Sequence, residues 1–454
     1  MRFRQPPPQL SQVELDEADE PSERYDVIVV GGGFAGLTAA RDLQRSGHRA
    51  VVLEGRDRLG GRVWTSEFCG VPVELGGAWV HWYQPYVWAE LSRYGLGITE
   101  GPEPETATLL VEDQPRAMSV EALDTLVNDA GDRIIGDARK AFERPYDPSS
   151  WDLSSLDELS IADGIDAAGF DAETWSAADS AYSGVSSAYC REAGLATLLH
   201  WQALSGFDTA LAWECTERYA IGSGASSLID AIADDGGFDI RLQSPVEAIE
   251  QSAAGVEVRT RDGRILEARA VVVAVPINTL HQISFSPWLS PAKLGMFSER
   301  QASHGFKIWI RLRGPMSTHV LAPSTSAITN VGPQGGLPNG DTLCLAFGSD
   351  ASRLNPTDTA AVATAINGLL PDHEVLDTCA HDWTHDDFSQ GTWSSYRPNQ
   401  ITHYLTDLQQ PEERVFLAGS DIASGWNGNI DGAIESGLSV ARSVGRLLAA
   451  DRVP

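Results

Sequence analysis

Residues 25–62, YDVIVVGGGFAGLTAARDLQRSGHRAVVLEGRDRLGGR, read as strand, tight glycine turn, helix and second strand in immediate succession. Val27 to Val30 is an unbroken apolar run, the pattern of a parallel strand buried on both faces. Gly31, Gly33 and Gly36 follow at G-x-G-x-x-G spacing. The first permits the turn, the second lets backbone approach a pyrophosphate, and the third lets helix pack on strand. The helix opening at Phe34 and Ala35 aims its free N–H groups and positive end at an anion. Leu37, Ala40 and Leu43 form its apolar face, Gly47 closes it, and Ala50 to Leu53 is the second strand. Glu54 ends that strand, where a carboxylate accepts hydrogen bonds from both ribose hydroxyls of an adenosine and repels a 2′-phosphate, disfavouring NADP. A second phosphate-reading stretch, from Gly55 and Arg56 to Gly61 and Arg62, follows at once. The combination points to FAD.

Working outward, 454 residues exceed one ordinary domain and predict two, discontinuous in sequence. The five cysteines, Cys69, Cys190, Cys215, Cys344 and Cys379, lack metal-ligand spacing, so they read as reduced thiols of a cytoplasmic protein with no metal site. Residues 1–24 mix prolines and acidic residues without an apolar core and read as a disordered acidic tail, neither signal peptide nor anchor. No apolar run approaches the roughly 20 residues that span a bilayer, so no membrane association is expected. The net charge of −30 argues against nucleic acid, whose phosphates it would repel. It suits steering of a cationic substrate, and equally a surface charged for solubility.

Val71 to Trp82, VPVELGGAWVHW, alternates into a double glycine, Gly76 and Gly77, where backbone can lie against a flat group. Residues 86–214 read as an inserted helical region. SGASSLIDAIADDGG then predicts a helix, the following stretch predicts strands and hairpins ending in a buried strand, Ala270 to Val275, and the chain closes with a strand, Val415 to Ala418, and a helix from Gly432 to Leu448. The expected class is α/β: a discontinuous Rossmann-like FAD-binding domain (25–85, 215–280, 391–454) with a mixed α+β substrate-binding domain (86–214, 281–390). There is no second G-x-G-x-x-G, so the flavin is expected to be reduced directly by an organic substrate rather than by NAD(P)H.

LEGRDRLGGRVWT, ELGGAWVHW, FKIWI and FLAGSDIASGWNGNIDGAIESG occur in the order of the flavin-dependent amine oxidases of the monoamine oxidase type, which the chain resembles over nearly its whole length after the tail. Several blocks resemble most closely the bacterial 6-hydroxynicotine and nicotine oxidases. The resemblance implies that Arg62 reaches the FAD phosphates, that Val246 meets the adenine, and that Gly419, Ser420 and Asp421 meet the diphosphate and ribityl chain. It implies that Ile430, after Gly428 and Asn429, offers its N–H to the flavin pyrimidine, where a helix start stabilises negative charge. Gly76, Gly77, Ala78, Trp79 and Trp383 would pack near the flavin. Lys307 aligns with a lysine that holds a water against flavin N5; in an alternating strand Phe306 and Ile308 share one face and Lys307 takes the other.

The departures carry as much information. Thr392 stands where covalent members have cysteine, so FAD is expected to be noncovalent. Two aromatic residues that sandwich the amine in relatives match Trp393 and Asn429, which replaces one ring face by an amide donor and acceptor. His81 resembles a residue near the substrate entrance, with a structural histidine the other reading. The implied reaction is hydride transfer from the amine α-carbon to flavin N5, giving an imine that water hydrolyses, with O2 as electron acceptor and H2O2 as product. The expected substrate is a secondary or cyclic amine of the hydroxynicotine type, and a homodimer is the expected assembly. A primary monoamine or polyamine oxidase and an amine dehydrogenase using a protein acceptor stay open. An L-amino acid oxidase is disfavoured, because GGAWVHWYQPY lacks the arginine that would hold the substrate carboxylate.

Overall fold

A computed structural model of the chain describes residues 24–136 and 138–451; the acidic tail lies outside the described residues except for Arg24, which already belongs to the first strand. The strand Arg24–Val30 sits between Ala50–Leu53 and Ile265–Val273, parallel to both. Asp239–Arg241 extends the sheet beyond Ala50–Leu53, and Val415–Leu417 pairs in parallel with Ile265–Val273. The alternation inside the apolar runs explains why these strands lie centrally. Ile28, Val30, Val51, Leu53, Val271 and Val273 face one core, while Val27, Val29, Ala50, Val52, Ala270 and Val272 face the other. Each fully buried valine, isoleucine or leucine among them contributes about 1.5–3 kcal/mol, and a short run with no polar position suits a strand covered on both sides.

The helix Phe34–Arg45 covers one face together with Ala225–Gly236 and the long closing helix Ile430–Ala450. That closing helix begins earlier than its apolar pattern suggests, because Asn429 adopts the extended backbone of a cap at φ −97° and ψ 165°. The buried strand expected to end at Val275 ends at Val273.

The second sheet runs in the order Val375–Ala380, Phe306–Leu312, Thr342–Gly348, Asn330–Gly336, Thr318–Leu321, Thr106–Val111, Gln114–Met118. Its last two strands belong to the stretch read as helical; TATLLV alternates with period two and closes a hairpin through Glu112 and Asp113, both at positive φ. Conversely, Ser284–Ser286, placed in the substrate-binding segment, pairs with Val246–Ser252 in the first sheet. Phe306, Ile308, Ile310 and Leu312 turn into a core of their own, while Lys307 and Trp309 turn the other way, against residues 74–76. Helices Val120–Ile135, Ala172–Ser186 and Thr209–Glu217 roof the space over that second face. Among the described residues no helix is long and apolar enough to cross a membrane.

Candidate active site

One cavity of about 810 Å³ runs from the glycine turn to the roof helices, within the range of small-molecule sites. At its first end lie Gly31, Gly33, Phe34, Ala35, Glu54, Gly55, Arg56, Gly61 and Val246. Gly31 has φ +107°, and a Cβ there would stand 2.6 Å from the Ala274 carbonyl oxygen, so only glycine fits. A Cβ on Gly33 would meet nothing nearer than 3.9 Å; that face opens onto the cavity at the helix N-terminus. Gly36 does not line the cavity, and its lack of a side chain serves packing, since a Cβ would overlap the Gly31 carbonyl at 2.0 Å. Glu54 is fixed by its own backbone surroundings, accepting the Gly32 N–H at 2.7 Å through Oε2 and the Arg56 N–H at 2.8 Å through Oε1. The remaining lone pairs of a nearly buried carboxylate face the cavity, the donor-hungry group a ribose diol needs.

Arg56, on the cavity wall, also holds a neighbouring loop. Its guanidinium donates to Asp386 at 2.6 Å and Ser389 Oγ at 2.7 Å, so it ties down the loop that carries Phe388. Arg62 donates to the Thr392 carbonyl at 3.0 Å, Ser420 Oγ at 3.2 Å and Asp421 Oδ1 at 2.8 Å, joining three distant segments. Asp421 is not among the residues lining the cavity: its second oxygen accepts the Ile277 N–H at 3.0 Å, and its side chain is a buried partner of Arg62. Gly419 and Ser420 do line the cavity.

The middle of the cavity is walled by Gly76, Gly77, Ala78, Trp79, Lys307, Trp383, Thr392, Trp393, Gly428, Asn429 and Ile430. Gly76 is pressed so close to Arg62 that a Cβ would lie 2.0 Å from the Arg62 carbonyl oxygen. Its own carbonyl accepts Lys307 Nζ at 2.9 Å, and that ammonium sits 4.7 Å from the Trp79 ring centroid. Burial pulls the Lys307 pKa down to about 8, with the charge of Glu74 opposing the fall. Trp383 donates Nε1–H to the Leu75 carbonyl at 2.8 Å. Trp393 is held by Nε1–H to the Val185 carbonyl at 2.7 Å, and the Asn429 amide donates to the Asn427 carbonyl at 3.1 Å. The Thr392 hydroxyl is buried with no hydrogen-bond partner.

His81 is corrected. It is fully buried and off the cavity wall, its Nε2 3.1 Å from Glu214 and its Nδ1 facing the Tyr83 N–H at 3.1 Å. It braces Glu214, which does line the cavity, and touches no substrate space itself.

Several lining residues had no signal in the sequence. Ser244 and Arg261 flank Val246; Phe347, Asn330, Leu321 and His319 pave the floor of the outer cavity. Glu103, Glu105, Glu121, Asp124 and Glu217 give its outer part a negative wall. Glu217 lines the cavity, and desolvation there, with the Asp124 charge added, raises its pKa to about 7.

The residues fit FAD: a turn that only glycine can make, a helix N-terminus open to the cavity, an acidic ribose site, and an arginine fork between them and a wall of flat side chains. Residues 34–445 match the family described as flavin containing amine oxidoreductase, and the chain belongs to that family. It is 41% identical over 439 residues to the pseudooxynicotine dehydrogenase of Pseudomonas sp (93% of this chain, 87% of that protein), and 36% identical over 430 residues to the nicotine dehydrogenase of Pseudomonas putida (94% and 89%). The (S)-6-hydroxynicotine oxidase of Paenarthrobacter nicotinovorans is 32% identical over 435 residues (91% and 97%). Among solved structures, cyclohexylamine oxidase from Brevibacterium oxydans shares the fold at a TM-score of 0.77 and 21% identity, covering 94% of this chain and 100% of that one. The protein is therefore an amine-acting flavoprotein oxidoreductase that carries FAD, and with threonine at position 392 it forms no thioether to it there.

Proposed function

We propose that the chain oxidises a secondary or cyclic amine of the hydroxynicotine type to an imine, with O2 as electron acceptor. The observation carrying this reading is that Lys307, Trp393 and Asn429, from three distant segments, meet on the wall of one cavity continuous with the nucleotide end. The names of the three relatives, acting on pseudooxynicotine, nicotine and 6-hydroxynicotine, support the substrate class.

FAD, when bound, supplies the two-electron acceptor. The protein's part is placement and desolvation. Trp393, anchored on the Val185 carbonyl, offers one aromatic face to the amine, and Asn429 offers an amide in place of a second. An amine arriving as an ammonium ion must lose a proton before its nitrogen lone pair can assist oxidation. Entry between Trp393, Phe347 and Trp79 strips water from it and lowers its pKa. Lys307, held by the Gly76 carbonyl, keeps its other donors turned to the cavity, where they order a water or a polar atom beside the reacting centre. No side-chain carboxylate or histidine is required as a base.

The acidic outer wall gives the steering reading a local basis. Adding salt is expected to lower kcat/KM for a cationic amine by about tenfold between low and high ionic strength, leaving kcat unchanged. A salt-independent kcat/KM would assign the charge to solubility alone.

The dehydrogenase names of two relatives favour a second reading, in which a protein takes the electrons. Anaerobic titration of the yellow protein with nicotine-type amines, cyclohexylamine, putrescine and L-leucine, followed by air, tests both. Bleaching by a nicotine-type amine with fast recovery and peroxide formation supports the oxidase. Bleaching that air reverses only slowly supports the dehydrogenase, and bleaching by L-leucine alone overturns the substrate class.

A further inference from the structure

The floor of the outer cavity is one register row of the second sheet. Lys307 is paired with Phe347, Phe347 with Asn330, and Asn330 with Leu321, so the four side chains project from the same face. At the usual strand spacing Asn330 stands about 10 Å from Lys307. Leu321, Phe347 and the roof residues Val185 and Ala181 give this part of the floor and roof hydrocarbon surfaces, with the acidic wall to the side. Into that wall the sheet sets one polar pair. His319, two residues before Leu321 and hence on its face, places Nε2 2.9 Å from Asn330 Oδ1, with its ring resting against Gly332.

We propose that Asn330 and His319 determine substrate specificity by hydrogen bonding the polar edge of a nitrogen heteroaromatic ring carried by the amine. This rests on the amine-oxidising reading above and adds the ring it selects. The hydrogen bond between the two residues uses His319 Nε2–H and Asn330 Oδ1. It leaves the Asn330 amide N–H groups as donors and His319 Nδ1 as an acceptor, and among the described residues neither has a protein partner. Burial lowers the His319 pKa, against the hydrogen bond to Asn330, which keeps the imidazole neutral and the acceptor free. A pyridine nitrogen takes the Asn330 donor; a pyridone, with adjacent C=O and N–H, uses donor and acceptor together. A phenyl ring of the same shape would cover both groups and satisfy neither, which is the situation a hydrogen-bonding site discriminates against.

The test compares N-methylpyrrolidines bearing phenyl, pyridyl or hydroxypyridyl rings as reductants of the flavin in the holoenzyme under anaerobic stopped flow. In the wild type the pyridyl amine is expected to exceed the phenyl amine about tenfold in the second-order rate of reduction, one hydrogen bond's worth. Asn330→Leu is expected to bring that ratio to within about twofold of unity. His319→Phe, which keeps a ring in place, is expected to abolish the further advantage of the hydroxypyridyl amine, and it supplies an independent reading if Asn330→Leu does not retain FAD. A wild type indifferent to the ring nitrogen, or variants that slow all three amines equally, would overturn the pair's role while leaving amine oxidation intact. Reduction by cyclohexylamine but by none of the three would instead overturn the proposed substrate class, and the pair's role with it.

Discussion

Arg62→Ala is expected to yield protein that no longer retains FAD and whose apo form is about 3 kcal/mol less stable than deflavinated wild type. The guanidinium joins the residues after the second strand to Thr392, Ser420 and Asp421, so it fixes the walls between which the cofactor lies. Asp421 is the vulnerable partner. Its side chain is only 3% exposed, and without Arg62 it keeps the Ile277 N–H as a polar neighbour but loses its countercharge. Removing one member of a buried ion pair costs about 3–5 kcal/mol; Arg62 itself is 21% exposed, which places the expectation at the lower end. Arg62→Lys should recover only part, because a single ammonium cannot serve three acceptors arranged for a planar fork. Adding Asp421→Asn to Arg62→Ala removes the orphaned charge and should restore stability without restoring FAD. Flavin absorbance after gel filtration and urea denaturation report the two effects separately. Stoichiometric FAD in Arg62→Ala would show that the arginine is structural only.

What the chain disclosed about itself follows from which physical demands act locally. The nucleotide turn is legible because its geometry excludes every residue but glycine at Gly31 and because Glu54 must follow the strand at once. The two-sided core is legible because Val27–Val30 and Ala270–Val273 have no polar position. Asp421 is ambiguous for a different reason: a buried carboxylate beside a phosphate-reading segment gives the same letters whether it meets a cofactor or a neighbouring arginine. His81 is ambiguous likewise, since brace and ligand share a sequence. The outer cavity was illegible because it has no local pattern. Asp124 and Glu217, far apart in sequence, end up on one wall only after helix packing, and Asn330 and His319, eleven residues apart, meet on one floor only through the register of two neighbouring strands.

Lys307→Met is expected to be slower and, at neutral pH, more stable. The residue is 4% exposed, and its pKa falls from 10.5 to about 8 on burial. A basic group whose pKa drops on folding costs stability. The folded chain binds fewer protons than the unfolded one between the two values, so the cost is fully present below pH 8 and fades as pH rises toward 10.5. The shift corresponds to about 3 kcal/mol. Removing the lysine takes a countercharge from Glu74, whose Oε1 accepts from Thr65 Oγ1 at 2.9 Å and the Ala225 N–H at 2.8 Å while its buried Oε2 has no hydrogen-bond partner, so part of that gain is offset. Methionine fills the same volume without a charge, so the variant should gain in melting temperature at pH 7, with the gain shrinking by pH 10. Turnover should move the other way, falling about 100-fold or more, since the donors that order a polar atom beside the reacting centre vanish while FAD stays bound. A pH dependence near 8 in the wild-type rate should disappear with them. A fold that keeps a buried ammonium at such a cost keeps it for chemistry. Wild-type turnover in Lys307→Met, or a lower melting temperature at pH 7, would contradict that argument directly.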